Sequence, residues 1–266
     1  MLISRPAAVA GLFYPGDAMT LSRDVRDMIA GARICMHSPK ALIVPHAGYV
    51  YSGPVAASGY AALKNIAQRI RREVLLGPTH RVALRGLALP GADAFDTPLG
   101  SVEIDAAAAQ AIAHMPQVVT SARAHAQEHS IEVQLPFLQS VLTDFKLLPL
   151  AVGDATPEEV AEVLERLWGG DETLFVISSD LSHYLPYDTA RLVDHATAQA
   201  ILGLQTDITH DHACGATPVN GLMIAARRHH LVPHLVDLRN SGDTAGPRDG
   251  VVGYAAFAFT GEGAQA

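Results

Sequence analysis

The chain has 266 residues, 49% of them hydrophobic and 17% charged, so it can bury a substantial apolar core. Its net charge of −8 and the lack of a Lys/Arg-rich run argue against a nucleic-acid-binding protein. The chain has no apolar run long enough for a membrane span and only two cysteines, which favours a cytoplasmic protein with no membrane partner and no disulfide framework.

The first half of the chain alternates apolar strands with helices. Apolar spacing predicts a helix over 18–31, and four apolar residues predict a buried strand at 41–44. Pro54 suits the first position of a helix, where its missing N–H would have no partner, so a helix is expected over about 54–70. Further strands are expected at 73–76, 84–89 and 102–104, and further helices at 105–114 and from about 129.

The second half continues this alternation. Thr156 and Glu159 form a capping box, in which each side chain satisfies a free N–H at the start of a helix ending near Gly169. The remaining strands are expected at 146–152, 173–177, 234–238 and 251–259, and the remaining helices at about 187–204 and 215–228. Because strands and helices alternate throughout, we expect one α/β domain over residues 1–266, with a mostly parallel central sheet flanked by helices.

Three histidines stand where an apolar strand stops. They are His46, His80 and His183, which follow the strands at 41–44, 73–76 and 173–177. The carboxyl ends of strands in an open α/β sheet are where ligands bind. A single histidine of this kind is more readily explained as a hydrogen-bonded loop residue, but three in one chain favour a shared site.

Two other side chains could contribute to that site. Cys214 precedes an expected helix whose dipole favours a thiolate, so it could be a metal ligand or a nucleophile as readily as a packing residue. Asp180 shares a turn with His183 and could bind a metal, orient His183 or cap the next segment, with orientation or acid/base chemistry favoured. Cys35 has neither context and is expected to be inert.

Two clusters offer alternative metal sites. His125, Glu128 and His129 match the inverted zinc-peptidase pattern H-x-x-E-H, which needs both histidines on one helical face. Apolar periodicity starts the helix near His129 and leaves His125 outside it, which favours a site-lining or capping role for Glu128 and His129. The segment 210–214 has chelate-like spacing that a solvated loop explains equally well. The motifs of serine hydrolases, dinucleotide enzymes, NTPases and zinc ribbons are absent.

Eight short motifs resemble those of the Memo family and follow the family's order from about residue 5 to residue 258. They are Arg5-Pro6 with Ala10-Gly-Leu-Phe-Tyr-Pro15, Pro45-His-Ala-Gly-Tyr-Val-Tyr-Ser-Gly53, Gly77-Pro-Thr-His80, Thr97-Pro-Leu-Gly100, Glu128-His-Ser-Ile-Glu132, Ser178-Ser-Asp-Leu-Ser-His183, Cys214-Gly215 and Asn240-Ser-Gly-Asp-Thr244. Each motif is weak alone. Because all eight occur in order, the chain is identified as a member of this family.

The resemblance implies an α/β domain related to the class III extradiol dioxygenases, which use non-haem Fe(II). It also implies a metal site of two histidines and one cysteine, which His46, His80 and Cys214 match here. Fe(II) or copper is the implied metal, with zinc as an alternative. His183 matches the acid/base histidine of the related dioxygenases and Asp180 lies beside it, so these two are the expected catalytic residues.

The cysteine leaves the activity open, because a thiolate replaces the carboxylate of the dioxygenase facial triad and is itself oxidisable. Three functions are therefore considered. The first is a dioxygenase-like oxidoreductase, and the second is a non-catalytic protein that binds a metal or a peptide. The third is a zinc hydrolase, since three protein ligands and an open position fit catalytic zinc. In each case the expected partner is a small molecule or a peptide.

Overall fold

The computed structural model describes residues 2–32 and 38–261, so Cys35 lies outside the described residues. The helices are α1 (Ala18–Gly31), α2 (Tyr49–Ala61), α3 (Ala106–Ile112), α4 (Ala122–Ala126), α5 (Leu135–Val141), α6 (Pro157–Leu167), α7 (Tyr187–Leu202) and α8 (Ala216–Arg228). The strands are β1 (Ser4–Arg5), β2 (Ala41–Val44), β3 (Arg72–Pro78), β4 (Leu87–Leu89), β5 (Ala94–Thr97), β6 (Gly100–Glu103), β7 (Val118–Thr120), β8 (Lys146–Val152), β9 (Thr173–Ser178), β10 (His183–Leu185), β11 (Leu231–Asn240) and β12 (Val251–Gly261).

Nine of these strands form one sheet in the order β10-β12-β2-β9-β3-β8-β4-β7, with β11 beside β12. The four central strands β2, β9, β3 and β8 run parallel, whereas β12 and β4 join them antiparallel. Two large apolar clusters, one drawing on α6 and α8 and the other on α1, α2 and α5, include side chains of the central strands. Strands covered on both faces read as unbroken apolar runs, as β2 and β9 do. The α/β class with a central sheet flanked by helices is confirmed.

The carboxyl ends of β2, β9 and β3 lie at the same edge of this sheet, because the three strands are adjacent and parallel. His46, Asp180 and His80 each stand two residues beyond the last residue of their strand. The short apolar runs therefore deliver three polar side chains to one place. This is the edge of the sheet at which the histidines that follow apolar strands predicted a ligand site.

Two helix starts differ from the sequence-based expectation. The first helix after β2 begins at Tyr49, so Pro54 lies inside α2 and not at its first position. Tertiary contacts stabilise the early turn, since the Tyr49 N–H donates to the Phe13 carbonyl and its hydroxyl to the Val133 carbonyl. The helix expected from about residue 129 begins only at α5, after a 3₁₀ turn at Glu132–Gln134.

The capping box at the start of α6 is confirmed. The Glu159 N–H donates to Thr156 Oγ1 at 3.2 Å, and the Thr156 N–H donates to Glu159 Oε2 at 2.8 Å. Both contacts span three residues, which explains why sequence alone predicted them. Among the described helices, none combines the length and the apolar character that crossing a membrane requires.

Glu73 in β3 is a fully buried carboxyl group. Its side chain is 0% exposed, and neither carboxylate oxygen makes a hydrogen bond with any residue in the described ranges. Burial therefore raises the pKa of Glu73 well above its ordinary 4.5. The folded chain keeps a proton that the unfolded chain loses above pH 4.5. Stability must consequently fall as pH rises from there towards the folded pKa, by up to about 1.4 kcal/mol per pH unit.

Glu73→Met is accordingly expected to stabilise the protein at pH 8 by about 1–3 kcal/mol, the usual cost of a buried unsatisfied polar group. Urea unfolding at pH 5 and pH 8 measures this, and the gain should shrink at pH 5. Glu73→Gln is the control, because it removes the titration but keeps unpaired polar atoms. A gain from Glu73→Met that is equal at both pH values would contradict the assignment.

Candidate metal centre

Three imidazole rings converge at the sheet edge. One ring nitrogen from each of His46, His80 and His129 lies within 4.8 Å of the others, and this group could hold a metal ion. The ring centroids are 5.2 Å apart for His46 and His80, 4.8 Å for His80 and His129, and 5.4 Å for His46 and His129. His46 is buried, whereas the His80 side chain is 31% exposed, so the group opens to solvent on the His80 side.

His46 is held at both its backbone and its ring. Its N–H donates to Asp180 Oδ1 at 2.7 Å, and its Nδ1 lies 2.9 Å from Ser178 Oγ. Burial lowers the pKa of His46 well below its ordinary value, and the nearby His129 and His80 lower it further. His46 is therefore a neutral imidazole near pH 7, which is the form that binds metals.

Glu128 orients His80. The His80 N–H donates to Glu128 Oε2 at 2.7 Å, and Nδ1 lies 2.9 Å from Oε1. Burial alone would raise the pKa of Glu128, but the hydrogen bonds from His80 and Ser130 outweigh it and bring the pKa down to about 2. An ionised carboxylate only accepts, so His80 carries a proton on Nδ1 and its Nε2 is free to bind a metal when the ring is neutral. Carboxylate–histidine pairs of this kind are usual behind metal ligands.

His129 comes from the loop that follows α4. Its N–H donates to Glu128 Oε1 at 3.0 Å, and its ring lies 4.7 Å from the ring of Phe13. Its Nδ1 is buried and makes no hydrogen bond with a described residue, although Glu128 Oε1 lies 3.3 Å away. Burial lowers the pKa of His129 to about 4. Of the two roles expected for His129, lining the site or capping a helix, its place beside His46 and His80 agrees with the first, and its ring supplies one of the three clustered nitrogens.

Cys214 stands just before α8, and its Sγ lies 3.2 Å from His46 Nε2. The Asp180 N–H donates to Sγ at 3.3 Å, and the Cys214 N–H donates to the Asp180 carbonyl. Gly215 permits this approach, because a Cβ there would lie 2.8 Å from the Cβ of Ser179. Burial and the charge of Asp180 raise the pKa of the Cys214 thiol to about 12. Burial therefore outweighs the helix dipole, which was expected to favour a thiolate.

Asp180 and His183 lie beside the imidazoles. Burial raises the pKa of Asp180 to about 7, although the N–H groups of His46 and Ala47 act against this shift. His183 is half-buried at the start of β10, and burial followed by the charge of His80 lowers its pKa. Asp180 and His183 are therefore acid/base candidates beside the candidate centre. His183 is not one of the three clustered rings.

The alternative clusters do not assemble. His125 lies in α4, where its Nε2 contacts the Ala88 carbonyl at 2.8 Å, and His129 lies beyond the end of that helix. As predicted, His125 lies outside the helix that was expected to begin near His129; it belongs to a separate short helix, and the two histidines share no helical face. The inverted zinc-peptidase arrangement is therefore excluded. His210 binds the Cys214 carbonyl and Thr217 and is not one of the clustered rings.

The amino-acid sequence alone does not decide between the two roles of His129. No strand precedes His129, and the signal was only its place in the motif Glu128-His-Ser-Ile-Glu132. His129 lies beside His46 and His80 because Glu128, its neighbour in the chain, accepts a hydrogen bond from His80, which is 48 residues earlier in the sequence. Such a long-range contact has no local sequence pattern.

The donor atoms suit a transition metal. Imidazole nitrogens and a thiol favour iron, copper or zinc over magnesium or calcium, which prefer oxygen ligands. His46 Nδ1 contacts Ser178 and His80 Nδ1 contacts Glu128, so the Nε2 of each ring is left for a metal, and that of His46 lies 3.2 Å from Cys214 Sγ. The residues present therefore fit a metal ion.

A cavity of about 750 Å³ leads to the centre. His80 and Cys214 line it together with Arg81, Asp154 and His210. This volume is within the range of small-molecule sites.

The comparisons with known proteins agree with the motifs. The family model described as Memo-like protein matches residues 5–258. A MEMO1 family protein of Aquifex aeolicus (strain VF5) is 38% identical over 269 residues, covering 96% of this chain and 98% of that protein. A MEMO1 family protein of Methanococcoides burtonii is 37% identical over 279 residues, covering 95% and 98%. One of Metallosphaera sedula is 34% identical over 288 residues, covering 97% and 100%.

The fold also has a solved counterpart. The crystal structure of an uncharacterized protein from Escherichia coli K12 matches with a TM-score of 0.54 and 13% sequence identity, covering 83% of this chain and 99% of that chain. At this identity the likeness concerns the fold alone. The family model and the relatives together extend over nearly the whole chain, and the chain therefore belongs to the Memo family.

Proposed function

We propose that this protein is a dioxygenase-like oxidoreductase that binds Fe(II) or copper through His46, His80 and Cys214. The observation that carries the proposal is the thiol of Cys214 lying 3.2 Å from the Nε2 of His46, beside a second imidazole held by a carboxylate. Two imidazoles and a thiolate form a donor set that selects a transition metal. A thiol that binds metal needs to stay reduced, which fits the cytoplasmic location expected from the sequence.

His129 is the competing third ligand. Its ring nitrogen lies within 4.8 Å of those of His46 and His80, so three imidazoles alone could hold an ion. The thiolate is the softer donor, and copper in its reduced state should use it. Cys214 must lose its proton to bind, and a bound cation favours that loss.

A metal bound here would supply a Lewis acid and a route for electrons. The other roles belong to side chains of the chain. Asp180 accepts the N–H of His46 and holds the turn that carries it, and His183 moves a proton at the edge of the site. The cavity of about 750 Å³ lets a small molecule, or one side chain of a peptide, approach the centre from the His80 side.

Metal analysis tests the proposal most directly. The protein purified without added metal should contain iron or copper and, after anaerobic loading with Fe(II), should consume O₂ with some phenolic substrates. Cys214→Ala should weaken metal binding by more than the roughly ten- to hundredfold typical of losing an outer-shell partner. His129→Ala should weaken it less. Wild-type protein that takes up no metal, or binding unchanged in Cys214→Ala, would refute the proposal.

A non-catalytic metal-binding role is the second candidate. One observation favours it: the thiol of Cys214 lies 3.2 Å from one of the three clustered imidazoles and offers a fourth donor, and closed four-coordinate sites are typical of structural metals. This role predicts tight Cu(I) binding that needs both Cys214 and His129, with no O₂ consumption. Steady turnover of any substrate excludes it.

A further inference from the structure

The hydroxyl of Ser178 lies behind His46, away from the cluster. Ser178 ends β9 and is 0% exposed. Its Oγ makes three contacts, at 2.5 Å to the Ser130 carbonyl, at 2.8 Å to Gln134 Nε2 and at 2.9 Å to His46 Nδ1. A serine hydroxyl has one proton and two lone pairs, so these three contacts use its full capacity.

The orientation of the Gln134 amide follows from its other neighbours. One end lies 2.9 Å from the Pro45 carbonyl, which only accepts, so this end must be the NH₂ group. The opposite end accepts from the Tyr60 hydroxyl at 3.0 Å. Gln134 therefore donates to Ser178 and occupies one of the two lone pairs of its oxygen.

The proton of Ser178 is also assigned. The Ser130 carbonyl cannot donate, so the contact of 2.5 Å requires the hydroxyl proton of Ser178. Only one lone pair of Ser178 then remains for His46, and the Nδ1 of His46 must be the donor. Neutral His46 consequently carries its proton on Nδ1, and its Nε2, which lies 3.2 Å from Cys214 Sγ, is unprotonated.

We propose that Ser178, oriented by Gln134, is a positioning residue that fixes His46 as the Nδ1-protonated tautomer and so presents the free Nε2 to the metal before the metal binds. The inference rests on the proposed function only in taking His46 as a ligand. Without Ser178 the proton could move to Nε2, and binding would then require it to be displaced. His46, Ser178 and Gln134 are all at most 2% exposed, so water does not compete for these hydrogen bonds.

The tautomer can be measured without any metal. In ¹⁵N-labelled metal-free protein at pH 7, long-range ¹H–¹⁵N spectra should show His46 with Nδ1 protonated and Nε2 bare. Ser178→Ala should remove this preference and yield the Nε2-protonated form or a mixture. Zn²⁺, a redox-inert probe, should bind to Ser178→Ala about ten- to hundredfold more weakly than to wild type. Ser178→Thr, which keeps the hydroxyl, should restore both properties.

Ser52→Ala is the matched control, because Ser52 is also buried and, among the residues that the structure describes, its hydroxyl hydrogen-bonds only the Ala47 carbonyl. It should leave the His46 spectrum unchanged. A wild-type His46 protonated on Nε2 overturns the inference without any variant, as does Ser178→Ala with unaltered tautomer and Zn²⁺ affinity. Wild-type protein with the expected tautomer but no affinity for Zn²⁺, iron or copper supports the hydrogen-bond assignment and refutes the proposed function instead.

Discussion

Glu132→Ala is expected to lower the free energy of unfolding by about 3–5 kcal/mol, the usual cost of removing one partner of a buried ion pair. Glu132 is 0% exposed and forms an ion pair with Arg5, which is 6% exposed. Its carboxylate also accepts from the Tyr14 hydroxyl at 2.6 Å and from the N–H groups of Ala8 and Val9 at 2.8 and 3.0 Å. The alanine variant would bury all four donors without this acceptor.

The loss should extend to the candidate centre. Arg5 also donates to the carbonyls of His125 and Glu128, at 2.9 Å and 2.7 Å, and so ties the N-terminal arm to the loop carrying Glu128 and His129. Native proteins typically have a free energy of unfolding of about 5–15 kcal/mol, so the variant should retain a much smaller free energy of unfolding than wild type. Urea unfolding followed by circular dichroism measures the change.

Two further variants make this result specific. Glu132→Gln keeps the shape and one acceptor oxygen, which serves two of the four donors, so it should fold and lose less stability than the alanine variant. Arg85→Ala breaks an exposed pair with Glu159, where the Arg85 side chain is 60% exposed, and should cost far less because water replaces the lost contact. Equal losses in Glu132→Ala and Arg85→Ala would show that the buried network does not hold the arm.

His46→Ala is expected to weaken metal binding by about 100-fold or more, beyond the effect of losing an outer-shell partner. His46 is the most buried of the three rings, and its Nε2 faces Cys214. Two sets of ligands are considered: the imidazoles of His46, His80 and His129, or those of His46 and His80 with the thiol of Cys214. Removing the His46 ring takes a ligand from both sets. Competition titration with a chelator measures the affinity, and circular dichroism verifies the fold.

His210→Ala is the control for that experiment. His210 lines the same cavity and lies beside Cys214, but it is not one of the clustered rings. Its replacement should leave the metal affinity close to that of wild type. A loss as large as that in His46→Ala would mean that His210 itself is a metal ligand, contrary to the assignment.

Local sequence patterns predicted the parts of the fold that depend on neighbouring residues. The apolar runs of β2 and β3 indicated where each strand ends, and parallel strands place their ends together, which predicted a site at His46 and His80. The capping box of α6 was predictable because its two hydrogen bonds span three residues. The start of α2 was not predictable, since contacts of Tyr49 with Phe13 and Val133 stabilise its first turn in spite of Pro54.

The sequence by itself determined the α/β class, the family and the polar residues at the strand ends, because periodicity and motif order are properties of the chain alone. Only the tertiary structure decided which side chains meet. Cys214 lies 168 residues from His46 in sequence, and His129 reaches the cluster through Glu128 and a loop tied to Arg5. The proton on His46 likewise depends on Ser178, Gln134 and the Ser130 carbonyl together. Such long-range hydrogen bonds follow from packing and have no local signature.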